Sequence, residues 1–309
     1  MDPKPNPASA TAEVRGPGQY AGFAVMCLIW GTTFLAIRIG NEAIAPLWGA
    51  TLRQILGAIL NLAVALIVRA RWPKGAALRA TLAFGVLNLG VNFVLLYWAE
   101  TTVPSGIAAV IYATMPLSTG IFSAMMGLHP LERTKMLAAV VGLAGVALIF
   151  SGELGQGAPP LALLGVLTGA SCAAFSGVLL KRVPPQSTFI VNGIGSAVGA
   201  VICFLASVAA GEPHALPRTM AAWGPILYLA VAGNLGAYVL WAWLVTQWKV
   251  TSVSVGALII PVIATIAGAL VRAEAPAPLT YAGAALVLGG VAVALFAPSV
   301  KPGSVPSRS

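Results

Sequence analysis

A few amide and hydroxyl side chains lie deep inside apolar segments of this chain, and they recur in a duplicated pattern. The tripeptide Asn-Leu-Gly begins at Asn88 and again at Asn234. Asn92 follows the first and Tyr238 the second by four positions, which places each pair on one face of a helix. Such groups hold a polar solute by hydrogen bonds. For a single asparagine, an interhelical hydrogen bond is the simpler interpretation, but a matched pair at one depth favours the lining of a cavity.

Each copy of the pattern continues to a proline inside the next apolar segment, Pro116 in the first copy and Pro261 in the second. Because proline has no backbone N–H, it cannot donate to the carbonyl group four residues earlier, here that of Tyr112 and that of Ala257. Each proline therefore leaves a free acceptor near mid-depth and weakens its helix there. One proline would fit a harmless kink, but two in corresponding positions predict hinges.

Two tryptophans, Trp30 and Trp241, lie away from the segment ends where interfacial tryptophans concentrate. A buried indole needs a partner for its N–H or a ligand to stack on, so ligand contact and core packing are equally good interpretations. Arg38 and Arg53 lie near the ends of their segments and are interpreted as snorkelling to the membrane surface. The predicted binding set is Trp30, Thr33, Asn88, Asn92, Tyr112, Asn234, Tyr238 and Trp241.

These residues belong to a chain that is 59% hydrophobic and only 8% charged, whereas soluble domains carry roughly one quarter charged residues. The sequence predicts an all-α integral membrane protein with ten spanning helices, each of which needs about 20 apolar residues. The predicted spans are 20–39, 48–68, 77–98, 104–126, 134–151, 161–180, 188–210, 221–244, 251–271 and 278–297. The ends, 1–19 and 298–309, are predicted to be disordered cytoplasmic tails.

The basic residues predict the orientation of these spans. With a cytoplasmic N-terminus, the basic loops face inwards, and only Arg218 and Arg272 fall in outward loops. Both termini are therefore predicted to be cytoplasmic. An odd number of crossings inverts the second half, so residues 20–151 and 161–297 are predicted to be inverted five-helix repeats. This architecture is typical of transporters with a site near the membrane midplane.

Several classes of function are disfavoured by what the sequence lacks. No GxxxxGK[ST] phosphate loop occurs, so ATP is not the predicted energy source. No Asp or Glu lies in the central part of a span, which disfavours proton coupling through a buried carboxylate. The cysteines show no metal-site spacing and histidine is scarce, so no metal or other cofactor is predicted. The basic residues form no stripe, so no nucleic-acid partner is expected.

Three features carry a resemblance to a known family: Trp-Gly-Thr-Thr-Phe at 30–34, Arg53 in the second span, and the mid-span prolines of the fourth and ninth spans. In these the chain resembles the ten-helix, EamA-type members of the drug/metabolite transporter superfamily, and most of all the bacterial YddG-like amino-acid exporters. The resemblance implies export of aromatic and other neutral amino acids across the bacterial inner membrane by alternating access. The second half reads Cys-Ala-Ala-Phe at 172–175, so spans one and six are not expected to contribute equally.

The predicted function is thus ATP-independent export of amino acids, with an amino acid and the lipid bilayer as partners and no enzymatic activity. Export of another small metabolite or drug-like molecule is the alternative within transport. A non-transporting membrane assembly component is the alternative from another class. A membrane enzyme is the least supported, because no span carries a central His, Asp, Glu and Ser constellation. The sequence leaves open whether the protein is a monomer or a homodimer.

Overall fold

Helices account for all regular structure in the described part of this computed structural model, which covers residues 16–103, 108, 111–128, 130–149, 151, 159–272 and 278–296. The helices are α1 (Pro17–Ala43), α2 (Pro46–Ile67), α3 (Gly75–Ala99), α4 (Met115–Met125), α5 (Arg133–Ile149), α6 (Pro160–Lys181), α7 (Thr188–Ala209), α8 (Met220–Gln247), α9 (Gly256–Arg272) and α10 (Pro278–Phe296). A short helical turn, Val250–Ser254, precedes α9.

Six of these helices, α1, α2, α3, α6, α7 and α8, are long and apolar enough to cross a membrane. The ranges Val250–Ile263 and Tyr281–Ala294 form shorter apolar helices. The prediction of an all-helical, multi-pass membrane protein is therefore confirmed, while the count of ten spans and the inversion of the halves stay predictions. The predicted tail at 298–309 and residues 1–15 lie outside the described residues, and α1 begins slightly earlier than predicted, at Pro17.

Proline and glycine set several of the helix ends. α1, α2 and α6 each begin with a proline, whose missing N–H is tolerated in the first turn, where no intrahelical acceptor is available. Gly127 after α4 and Gly211 after α7 have φ values of 67° and 68°. This left-handed conformation ends a helix and suits glycine, because it has no Cβ.

The helices contact one another in corresponding pairs when the first five are matched in order to the last five. α2 packs along α7, and α5 packs along α10. α1 packs on α8 and α9, and its counterpart α6 packs on α3 and α4. At the α5–α10 crossing the backbones nearly touch, since a Cβ on Gly283 would lie 2.6 Å from the carbonyl oxygen of Gly145. Small residues permit this close approach of helices in a membrane.

Both copies of Asn-Leu-Gly lie in π-helical segments, Gly85–Val91 within α3 and Leu229–Ala237 within α8. The sequence predicted ordinary α-helix at both places, so the structure corrects this prediction. π-helical turns are rare and occur mostly as short insertions, frequently at functional sites. Glycines on the widened turns let neighbours approach: a Cβ on Gly233 would lie 2.8 Å from Nη2 of Arg53.

The environments of the two prolines differ from the prediction of two mid-helix kinks. Span 104–126 does not form one continuous helix, because the chain turns at residues 113–114 and α4 begins at Met115. Pro116 therefore lies in the first turn of α4, where its missing N–H costs nothing. Pro261 does lie inside α9, as predicted. A second helix-interior proline, Pro225, lies in α8.

Candidate functional site

A cavity lies between the two groups of five helices and is enclosed mainly by aromatic and aliphatic side chains. The free space amounts to about 790 Å³, its open mouth included. The lining residues come from α1, α2, α3, α6, α8 and α9, from the short turn Val250–Ser254, and from the segment around the start of α4. They are Trp30, Thr33, Phe34, Ile37, Arg53, Asn88, Asn92, Phe93, Leu96, Tyr112, Met115, Ala173, Tyr238, Trp241, Val253, Ser254, Ala257 and Ile260.

The structure brings the predicted binding set together around this cavity, with one difference. Trp30, Thr33, Asn88, Asn92, Tyr112, Tyr238 and Trp241 all line it. Asn234 is buried behind the lining, where its side chain bonds to other protein groups. Of the two predicted hinges, neither lines the cavity: Pro116 borders a smaller space beside it, and Pro261 is buried within α9. Whether the lining residues bind a ligand stays a prediction.

Arg53 of α2 supplies the positive charge of this cavity. Its exposed fraction is only 2%. Nε donates to Oδ1 of Asn234 at 2.9 Å, Nη1 donates to the hydroxyl of Tyr97 at 3.2 Å, and the guanidinium lies 4.6 Å from the ring centroid of Phe93. These partners are all neutral. In the described ranges, no carboxylate forms a salt bridge with Arg53.

The interpretation of Arg53 as a snorkelling side chain is therefore wrong. Arg53 is the eighth residue of α2, about 10 Å from the start of that helix at a rise of 1.5 Å per residue. Its side chain turns towards the cavity because Asn234 and Tyr97 accept its hydrogen bonds there. A snorkelling arginine would instead find its acceptors at the membrane surface. The sequence signal was present, since an arginine two turns inside an apolar helix is costly and usually functional.

A chain of hydrogen bonds joins the two copies of the Asn-Leu-Gly motif behind the cavity. Nδ2 of Asn234 donates to Oε1 of Gln54 at 2.5 Å and lies 3.3 Å from Oγ of Ser196. Nε2 of Gln54 in turn donates to the carbonyl oxygen of Leu89, within the other π-helical segment, at 2.8 Å. Gln54 is fully buried and was not singled out from the sequence. The network fixes Asn234, and Asn234 fixes Arg53.

On another wall of the cavity, two asparagines and a tyrosine form a second polar cluster. Nδ2 of Asn92 lies 3.3 Å from Oδ1 of Asn88, and the hydroxyl of Tyr112 donates to Oδ1 of Asn92. The pairing of Asn88 with Asn92 follows the four-residue spacing seen in the sequence. These side chains leave hydrogen-bonding capacity at the cavity surface, because each amide has two acceptor and two donor positions.

Aromatic rings form the remaining walls and pack mainly edge to face. The ring centroids of Trp30 and Tyr238 lie 5.3 Å apart, and those of Phe34 and Tyr112 lie 5.9 Å apart. Trp241 stacks on Phe84 with the centroids 5.6 Å apart. Such walls accept an apolar or aromatic group. Together with Arg53 and the amides, they suit a small molecule that has an anionic end and an apolar end.

Beside the smaller space that Pro116 borders, an ion-pair cluster links the first five helices to the last five. Glu132, before α5, lies 2.6 Å from Nζ of Lys249, before α9, and 3.0 Å from Nζ of Lys135. Burial opposes the ionisation of Glu132, but hydrogen bonds and charges from both lysines outweigh this effect and hold its pKa below the ordinary value. The carboxylate is therefore charged at neutral pH.

The model of the EamA-like transporter family matches this chain over residues 19–151 and 160–296. The "Uncharacterized inner membrane transporter YedA" of Escherichia coli strain K12 is 30% identical over 250 residues, which cover 81% of this chain and 81% of the relative. The "Probable amino-acid metabolite efflux pump" of Salmonella typhimurium is 23% identical over 283 residues, which cover 88% of this chain and 93% of the relative.

A protein of known crystal structure has the same fold as this chain. Its structure superposes with a TM-score of 0.73 at 24% sequence identity, covering 92% of this chain and 99% of that chain. At this identity, the likeness concerns the fold alone.

Proposed function

Because the chain belongs to the EamA-like transporter family, we propose that it exports amino acids, aromatic and other neutral ones, across the bacterial inner membrane. The observation that carries the proposal is Arg53, a buried cation without an acidic partner in the described residues, at the wall of an aromatic cavity. A buried charge is costly unless it is paired, so this guanidinium is suited to the carboxylate of a substrate.

The remaining groups of an amino acid also find complementary surfaces. The carbonyl oxygen of Ala257 loses its helical donor because Pro261 follows four residues later, and Ala257 lines the cavity. Such an acceptor suits an ammonium group. The oxygens around Asn88, Asn92 and Tyr112 offer further acceptors. The rings of Trp30 and Trp241 would receive an apolar side chain. The relative named as an amino-acid metabolite efflux pump supports both this substrate class and the outward direction.

Transport by alternating access requires two halves that move relative to each other. The paired helix contacts and the two ranges matched by the family model support two repeats, residues 20–151 and 161–297. In this proposal the repeats are inverted and both termini are cytoplasmic, as the distribution of basic residues predicts. In this proposal, the breaks at residues 113–114 and at Val255, with the nearby Pro116 and Pro261, act as hinges. Pairing between Glu132 and Lys249 closes one side of the cavity.

Counterflow in liposomes tests the proposed function. Purified protein is reconstituted without ATP, the liposomes are loaded with each of the twenty amino acids in turn, and uptake of radiolabelled phenylalanine is measured. Loading with aromatic and other neutral amino acids should accelerate uptake above that of protein-free liposomes. If no amino acid is exchanged while another organic carboxylate is, the protein exports a different metabolite and the proposal fails.

The Glu132→Gln variant is predicted to favour the state that is open on the side of the α4–α5 connection. The pair is only partly exposed, so its loss should destabilise the closed state by about 1 kcal/mol. The ratio of open to closed protein should then rise roughly fivefold. In the wild type, the lowered pKa of Glu132 means that the ion pair contributes fully above the ordinary carboxyl pKa. Its contribution is lost as the pH falls through the lowered value.

Labelling of a cysteine at position 254 measures this change. Ser254 lines the cavity, and the three native cysteines would first be replaced by serine. A membrane-impermeant maleimide should label Ser254→Cys faster in the Glu132→Gln background. Glu42→Gln, which changes an exposed carboxyl, is the control and should leave the rate unaltered. Equal rates in both backgrounds would show that the ion pair does not hold this side closed.

A further inference from the structure

Glu100 carries a buried carboxyl group at the end of α3, directly after the last residue of that helix. Both of its oxygens are shielded from solvent, and among the described residues neither has a hydrogen-bond partner. In the described part of the chain, no basic group lies within salt-bridge distance of it. An ionised carboxylate in such a place loses its hydration without compensation, whereas the neutral acid loses much less.

The charged and titratable groups around Glu100 come from four elements. Arg38 of α1 and Arg53 of α2 act on it electrostatically, and Tyr97 of α3 and Tyr112 before α4 lie within range of its charge. Burial raises the pKa of Glu100 to about 8, against the lowering effect of the two guanidinium groups. Glu100 therefore changes its charge near neutral pH, which an ordinary glutamate does not do.

We propose that Glu100 is a proton-binding site linked to carboxylate binding at Arg53, so that protonation of Glu100 and binding of the substrate favour each other. This inference rests on the proposed function, because it takes the substrate carboxylate to bind Arg53. The sequence disfavoured proton coupling since no span has a central carboxyl. Glu100 was not among the carboxyl groups considered there, because it lies at a helix end, and it is nevertheless buried.

The coupling follows from the sign of the charges. Ionised Glu100 offsets the positive field of Arg53 and repels an incoming carboxylate, so substrate binding is weakened. Protonated Glu100 leaves the charge of Arg53 available. Proton and carboxylate therefore favour each other's binding, and the bound substrate raises the pKa of Glu100 further. The proton comes from water, forms an O–H bond with Glu100, and returns to water when Glu100 ionises.

Infrared spectroscopy of the substrate-free protein tests the proton site itself. A carbonyl band of a protonated carboxyl group should be present at neutral pH, disappear as the pH rises through about 8, and be missing in Glu100→Gln. In Arg38→Gln, the midpoint should move to higher pH, because an exposed cation that favours the ionised form is removed. Absence of the band at neutral pH in the wild type would overturn the proposal.

Binding of radiolabelled phenylalanine tests the linkage. Relative to Glu100→Gln, the dissociation constant of the wild type should rise about tenfold between about pH 7 and about pH 9. Comparison with the variant cancels the titration of the ligand's own ammonium group. The same pH dependence in both proteins would refute the linkage. If the wild type binds no amino acid at all, the proposed function fails, and the infrared result still decides whether Glu100 holds the proton.

Discussion

Replacement of Arg53 by glutamine is expected to weaken amino-acid binding strongly while the free energy of unfolding stays the same or rises slightly. Binding should weaken by at least about 30-fold, or about 2 kcal/mol, because a buried carboxylate would lose its charged partner. Stability should not fall, because without substrate the buried guanidinium has only neutral partners among the described residues. Scintillation proximity binding and thermal unfolding in detergent measure the two quantities separately.

Two further variants separate the charge of Arg53 from its hydrogen-bonding geometry and from the loss of an arginine elsewhere. Arg53→Lys keeps the positive charge but loses the Nε bond to Asn234 and the two-pronged geometry, so it should bind with intermediate affinity. Arg71→Gln removes an exposed arginine and should bind like the wild type. If Arg53→Gln binds phenylalanine normally, Arg53 does not hold the carboxylate. If it binds weakly only because it is unfolded, the thermal measurement will reveal that.

The Gly199→Ala variant is expected to lose both stability and transport, although only one methyl group is added. Gly199 lies in α7 against the π-helical segment of α3, where a Cβ would lie 2.4 Å from the carbonyl oxygen of Leu89. That oxygen also accepts the hydrogen bond from Gln54. Backbone atoms cannot move aside as a flexible side chain can, so the helices must separate. Overpacking of this kind costs about 1–3 kcal/mol.

Gly289→Ala provides a matched comparison on a helix where space is free. No atom of the described residues lies within 4 Å of a Cβ built on Gly289 in α10. This variant should be at least as stable as the wild type, because alanine is favoured over glycine inside a helix by about 0.5–1 kcal/mol. Thermal unfolding and phenylalanine counterflow should therefore separate the two glycine variants. If both variants show the same unfolding temperature and the same rate of counterflow, close packing of α7 against Leu89 is not required for the site.

Parts of the site could be anticipated because their signal is local. Asn88 and Asn92 sit one turn apart, and this spacing alone predicts that their side chains meet. Trp30 and Trp241 departed from the interfacial pattern of tryptophan, and both line the cavity. The role of Asn234 could not be predicted from the sequence, because the same amide can line a cavity or hold a neighbouring side chain. In the structure it holds Arg53.

Other features depend on partners far away in the chain. The π-helical segments have no signature in a single sequence, because the widened turn is compatible with the same residues that form α-helix. Pro116 could not be assigned to the start of a helix, since the turn at residues 113–114 carries no glycine or strongly polar residue. Glu100 looked like an ordinary loop carboxyl until neighbouring helices were seen to bury it.

The sequence by itself determined that the chain is a helical membrane protein, and it located the duplicated Asn-Leu-Gly motif. Both follow from local quantities, since transfer into lipid depends on the apolar character of about 20 consecutive residues. The tertiary structure decided what the two motifs do. Asn234 meets Arg53 across 181 residues, and Gln54 meets Leu89 across 35. These groups come together only because α2 packs between α3 and α8. The same packing buries Arg53 at the cavity, whereas the sequence placed its charge at the membrane surface.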